Sequence, residues 1–209
     1  MLEEEYQKRR VLPAHLRPKP EPERPFSYEI RPAGEADIPD IREIYNYYVT
    51  NSVVTFDESE WTLAQWRDKF AHLTKIGMPF LVAESPSGQV LGYAYVQPWS
   101  GKSAYRYTVE NSIYLGQAAA GKGLGRALLE ALIEACRDAG IREMIAVISD
   151  KGAEASVALH ERLGFTENGR MGRVGFKFGR WLGVINMQLS LKSRRSRERL
   201  RDKLRPRDS

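Results

Sequence analysis

The stretch Tyr107–Leu129, YTVENSIYLGQAAAGKGLGRALL, constrains the fold more than any other. Thr108, Val109, Ile113, Tyr114 and Leu115 favour an extended strand, although Glu110, Asn111 and Ser112 interrupt the alternation. After Gly116 the side chains become small, and Gly121, Gly123 and Gly125 permit tight backbone geometry and close approach of a ligand. From Leu124, the residues Leu124, Ala127, Leu128, Ala131, Leu132 and Ala135 recur at helical spacing and bury one face. A strand, a glycine turn and a helix therefore follow one another. The N–H groups and dipole at such a helix start form an anion site that needs no metal and fits a cofactor diphosphate. The same glycine spacing also occurs in ordinary turns. It is not a nucleotide P-loop, because Lys122 is followed by Gly123 and not by Ser or Thr. Nor does Gly-x-Gly-x-Gly match the dinucleotide pattern Gly-x-Gly-x-x-Gly.

A chain of 209 residues can bury one good core. Its net charge of +5 is unevenly distributed. Residues 192–209 carry nine basic and three acidic groups, and residues 1–25 carry six and five, so the 26–191 body stands at −2. The high pI belongs to the tail, and the body gives little reason to expect nucleic-acid binding. The single cysteine, Cys136, lies mid-helix and excludes an internal disulfide framework or a multi-cysteine metal site. No apolar run approaches the length of a membrane span, and three glutamates near the start argue against a secretory signal. A cytoplasmic protein is the expectation.

The proline-rich segment 1–25 reads as a flexible leader, 26–191 as the folded domain, and 192–209 as a basic tail, helical or disordered. Tyr28 and Ile30 begin a short strand, and a helix is expected over Ala36–Val49. The apolar segment Asn51–Trp61 either pins itself to the core or walls a pocket. Thr62-x-x-Gln65 is a capping box opening a second helix with Leu63, Trp66, Phe70 and Leu73 on its buried side. Strands are expected at Phe80–Glu84 and Val90–Gln97 around the turn Ser85–Gly88. Beyond the central unit, Ile141–Ile148 reads as a strand and Glu154–Leu163 as a helix stopped by Gly164. Phe165 opens another extended segment, Met171–Gly183 is glycine-rich and aromatic with a loop expected at Gly175–Trp181, and Trp181–Leu191 reads as the last strand. The pattern predicts one α/β domain with a mixed sheet.

At this level of detail the sequence resembles the GCN5-related N-acetyltransferase (GNAT) superfamily, and within it the phosphinothricin/L-amino-acid N-acetyltransferases. The stretches that carry the likeness are IRPAGEADIPDIREIYNYYV, VTFDESEWT, PFLVAE, GYAYVQPW, YTVENSIYL, GKGLGRALLEALIEA, SVALHERLGF and GFKFGRW. The resemblance implies a single acyltransferase domain with a mixed, largely antiparallel sheet flanked by helices. It also implies acetyl-CoA as donor, a small primary amine as acceptor, a homodimer and no metal. The cofactor would meet Tyr114, Leu115, Gly121, Lys122, Gly123, Leu124, Gly125, Arg126 and Ser156. Two positions depart from the family pattern. Ala120 stands where Arg or Gln usually opens the loop, and Ala153 where Asn usually precedes the Ser156 helix. Weaker cofactor binding is expected from both.

Glu110 is the candidate general base, since an ammonium must lose a proton before it attacks a thioester. From its residue type alone, Glu110 could equally be an exposed strand carboxylate or an ion-pair partner; its place in the family pattern favours the base. His160 stands where many relatives place a general-acid tyrosine, and is the second catalytic candidate. A backbone N–H near Tyr114 or Leu115 is the expected oxyanion donor. Phe56, Trp99, Tyr107, Lys177 and Trp181 are the substrate-binding candidates. Arg31, Arg106, Lys177 and Arg180 compete as carboxylate partners. The rival readings are a polyamine, peptide or protein acetyltransferase, and a non-enzymatic acetyl-CoA-binding or interaction protein. Nucleic-acid or acidic-surface contact through the tail is disfavoured by its lack of aromatic residues.

Overall fold

The computed structural model describes residues 26–191; the leader and the basic tail expected from composition lie outside the described residues. Strands β1 (Glu29–Pro32), β2 (Phe80–Glu84), β3 (Val90–Pro98), β4 (Thr108–Leu115), β5 (Glu143–Ser149), β6 (Thr166–Lys177) and β7 (Arg180–Ser190) form one sheet in the order β1-β2-β3-β4-β5-β7-β6. Only β4 and β5 run parallel. The expected mixed, largely antiparallel sheet is therefore present.

Helices α1 (Ile38–Asn51) and α2 (Leu63–Lys75) cover one face. Ile38, Ile41, Tyr45 and Val49 of α1 pack there with Trp66 and Leu73 of α2, Val82, Tyr93 and Tyr95. The other face holds α3 (Leu124–Asp138) and α4 (Glu154–Arg162), with Leu128, Leu129 and Leu132 packed against Ala94, Val96, Val109 and Met144. Burying such side chains contributes roughly 1.5–3 kcal/mol each before entropy is counted.

Local rules account for several boundaries. The Thr62 hydroxyl accepts from Gln65 N, and Gln65 Oε1 accepts from Thr62 N at 2.8 Å, as the capping box predicts. Gly164 ends α4 with φ of 90°, where a Cβ would be strained. Helix α1 begins two residues later than expected, because Glu35–Asp37 forms a single 3₁₀ turn.

The larger correction concerns the expected loop Gly175–Trp181. β6 and β7 form a long hairpin through it, with only Phe178 and Gly179 outside the two strands. Its turn residues Phe178 and Gly179 both have positive φ (50° and 71°), which suits a two-residue turn between right-twisted strands. Glycines at 169, 172 and 175 hide the strand from any alternation test. The edge strand β6 is exposed along most of its length.

Candidate active site

Strand β4 pairs with β3 from end to end, but meets β5 only across Thr108–Glu143, Val109–Met144 and Glu110–Ile145. Beyond Glu110 the two parallel strands part. Trp99 N donates to Thr108 O and Gly116 N to Leu91 O, which fixes the alternation of backbone groups along β4. Even-numbered residues address β3, whereas Ile113 and Leu115 present their N–H groups to the gap. The register thus corrects part of the oxyanion expectation: Tyr114 N–H faces β3, and Leu115 N–H is the one aimed into the opening. The Leu115 carbonyl on the same side accepts from Tyr48 Oη at 2.8 Å.

A cavity of about 530 Å³ occupies this gap. It joins Gly125 at the start of α3 to Glu110, Asn111 and His160, and ends against Thr55 and Phe56. At its α3 end, Gly121 and Gly123 adopt left-handed backbone (φ 75° and 80°), and a Cβ added at either would meet nothing within 4 Å. Gly123 is the N-cap and supplies no side-chain acceptor, so first-turn N–H groups are left for an anion. Leu124 is buried, and a Cβ on Gly125 would lie 3.4 Å from Leu115 Cδ1 and 3.6 Å from Leu159 Cδ2. The helix thus starts beside the side chains of Leu115 and Leu159, at the strand gap. Lys122 and Arg126 are exposed on this loop and first turn; Lys122 Nζ lies 4.7 Å from the Phe26 ring, and Arg126 pairs with Glu130 at 2.8 Å. Ala153, one of the two departures from the family pattern, is buried in the cavity wall, whereas Ala120 is exposed.

Glu110 lines the cavity while packing toward the α1–α2 face, where Gln97 is its cross-strand partner. Burial raises its pKa above the ordinary carboxylate range, opposed by a hydrogen bond from Gln97 and the charge of Lys69. A carboxylate held in this way is a stronger proton acceptor than an exposed one. Nothing in the sequence singles out Lys69. Its Nζ donates to Tyr95 Oη at 2.8 Å and lies 5.2 Å from the Trp61 ring, a setting made by contacts distant in the chain.

His160 is 1 % exposed. Its Nδ1 lies 2.8 Å from the Ser156 carbonyl, which can only accept, so Nδ1 carries the proton. Nε2, 3.0 Å from Asn111 Nδ2, is then the acceptor. Burial also lowers the His160 pKa, against the raising effect of the Ser156 bond. A neutral ring with its only proton tied to a backbone carbonyl has none to give to a leaving group. The general-acid expectation for His160 is corrected accordingly. Ser156 Oγ also lies 3.5 Å from Nδ1, and Ser156 lines the cavity.

The substrate candidates separate. Phe56 lines the cavity and lies so close to Gly175 that a Cβ there would stand 2.4 Å from its ring. Lys177 does not line it: the side chain is buried, and Nζ donates to the carbonyls of Ser52 and Thr55 at 2.8 Å each. Lys177 is a strut for the 52–61 segment instead of a substrate contact. That segment does both things expected of it, since Tyr45 Oη and Trp61 Nε1 both donate to Asp57 while Val54, Thr55 and Phe56 wall the cavity. Trp99, Tyr107 and Trp181 are half-exposed and outside the cavity wall of this chain. Arg31 is engaged by Asp37 and Glu84, and Arg106 stacks on Tyr107. Cys136 is buried in α3 with its thiol pushed up to about 12, so it supplies no nucleophile. Among the described residues, no three His, Cys, Asp or Glu side chains are grouped to hold a metal, and no helix is long and apolar enough to cross a membrane.

Residues 30–185 match the acetyltransferase (GNAT) domain family. The chain belongs to that GNAT family. An L-methionine sulfoximine/L-methionine sulfone acetyltransferase of Pseudomonas aeruginosa is 45% identical over 171 residues, covering 82% of this chain and 99% of the relative. A phosphinothricin N-acetyltransferase of Alcaligenes faecalis is 40% identical over 162 residues, covering 78% and 82%. Among solved GNAT structures, an acetyltransferase of Salmonella typhimurium with its cofactor acetyl-CoA superimposes with a TM-score of 0.77 at 40% identity, covering 80% of this chain and 96% of that one.

Proposed function

We propose that this GNAT enzyme transfers the acetyl group of acetyl-CoA to the α-amine of a small amino acid or amino-acid analogue, with Glu110 as general base. The observation that carries the reading is one cavity joining an uncapped helix start to a buried carboxylate through a gap in the sheet. The relatives that act on methionine sulfoximine, methionine sulfone and phosphinothricin support the acceptor class.

Acetyl-CoA supplies the activated acetyl thioester when bound. Its diphosphate suits the N–H groups of Gly121–Gly125, with Lys122 and Arg126 adding positive charge beside them. Glu110, its basicity raised by burial, takes the proton that an ammonium must lose, directly or through one water. Leu115 N–H is placed to hydrogen-bond negative charge developing in the gap. Phe56 bounds the acceptor end of the cavity.

The exposed hairpin side chains Met171, Val174, Phe176, Phe178 and Trp181 form a surface suited to a second copy of the chain, and we assign a homodimer to it. Through such a dimer, Trp181 would border a substrate site that it does not reach within one chain. Sedimentation analysis should find a dimer in the wild type and a monomer in the double variant Phe176→Asp, Phe178→Asp; a wild-type monomer at micromolar concentration refutes the assignment. A cytoplasmic setting fits a chain whose single thiol is free and buried. The C-terminal tail's contact with acidic surfaces concerns residues outside the described ones.

The test of function is an acceptor panel with acetyl-CoA, following coenzyme A release and product mass. Methionine sulfoximine, methionine sulfone, phosphinothricin and other L-amino acids should yield N-acetyl products. Turnover confined to polyamines or peptides would overturn the amino-acid reading. Donor binding with no acetylated product from any amine would overturn the enzymatic one.

A further inference from the structure

Asn111 is 7 % exposed and lines the cavity, yet its Oδ1 is fully enclosed without a hydrogen-bond partner. An amide oxygen so placed gives up its hydration in the free protein with nothing in return until a partner arrives. The orientation of the amide is dictated by its neighbour. Because the Ser156 carbonyl holds the proton of His160 on Nδ1, Nε2 offers a lone pair, and only Asn111 Nδ2 can meet it. Turning the amide over would set an oxygen lone pair against a nitrogen lone pair. His160 therefore fixes Oδ1 as the group left to be satisfied.

The face of the strand indicates what satisfies it. Glu110 addresses the α1–α2 face with Gln97 and Lys69. Asn111, one residue on, addresses the opposite face, where His160 and Leu159 of α4 and Gly125 of α3 share the cavity wall. That face leads from the helix start to the strand gap, the path a diphosphate-linked arm must follow. Resting on the acetyl-CoA reading above, we infer that Asn111 Oδ1, oriented by His160, accepts a hydrogen bond from an amide N–H of the pantetheine arm. Asn111 is then a donor-binding residue and His160 a positioning residue. The acceptor amine is contacted from the Glu110 side of the strand.

The test is calorimetric and needs no turnover. Coenzyme A and adenosine 3′,5′-bisphosphate, which lacks the arm, are titrated into wild type, Asn111→Leu, His160→Gln and His160→Leu. Asn111→Leu should weaken coenzyme A by about tenfold and leave the arm-less nucleotide unchanged. His160→Leu should do the same, whereas His160→Gln, which can still accept from Asn111 Nδ2, should recover most of the affinity. Equal loss for both ligands, or no loss for either, overturns the inference. In the wild type, coenzyme A analogues with each arm amide replaced in turn by an ester should include one that binds about tenfold more weakly. That weaker analogue should show no further loss in Asn111→Leu. If both esters bind the wild type as coenzyme A does, the inference fails whether or not the variants fold. A wild type that binds no coenzyme A would instead defeat the donor assignment itself.

Discussion

Glu110→Gln is expected to lower kcat/KM for the amine by about 10²- to 10⁴-fold while coenzyme A affinity stays within about twofold. The amide keeps the shape and the contact with Gln97 but cannot take a proton. The pH profile gives the sharper signature. Burial raises the Glu110 pKa, so wild-type activity climbs with pH through a limb above the ordinary carboxylate range, as the base becomes ionised. The variant should lose that limb. Its residual rate should rise instead toward the pKa of the amine itself, as free base becomes available without help. A variant that retains wild-type kcat and the same acidic limb would remove Glu110 from proton transfer.

The second large effect is structural in origin. Lys177→Met should destabilise the protein by about 2–4 kcal/mol, since it deprives two carbonyls of a charged donor, one of them in a buried setting. Methionine matches the stem of lysine and keeps the packing, which leaves the lost hydrogen bonds as the main difference. Because Ser52 and Thr55 are the acceptors, the loosened segment carries Phe56 with it. KM for the amine should therefore rise several-fold more than KM for acetyl-CoA. Denaturant unfolding and paired steady-state titrations check the two halves. Unchanged stability would mean that the carbonyls find other donors. Equal changes in both KM values would contradict a role confined to the acceptor end.

These two residues also mark what the chain discloses before it folds. Glu110 can be named as the proposed base because its neighbours carry a family pattern, whereas the Thr62–Gln65 cap is legible because its partners are three residues apart. Lys177 reads as a substrate contact and is not one: its acceptors lie 122 and 125 residues away, and a lysine symbol records charge but not burial. His160 belongs to the cavity as its motif implies, but its proton sits on Nδ1 because of Ser156, and its other nitrogen is committed to Asn111, 49 residues distant. The choice between Tyr114 and Leu115 turns on the register of β4 against β3, which depends on a partner strand. Hydrogen bonds made within a helical turn can be read from spacing; those made across the sheet await the topology.

The separation of the two ends of the cavity has an evolutionary consequence. The proposed donor end is built into the sheet and the α3 start, where Leu124, Leu128 and Leu129 are buried in the core. The proposed acceptor end hangs on one lysine, one phenylalanine ring and the exposed edge strand β6. Mutations accumulating in β6 and the 52–61 segment can shift which amine is welcomed without reopening the question of what is donated. In a lineage of such enzymes, acceptor preference should drift quickly while the acetyl source stays constant, the fold acting as a fixed tool with an exchangeable grip.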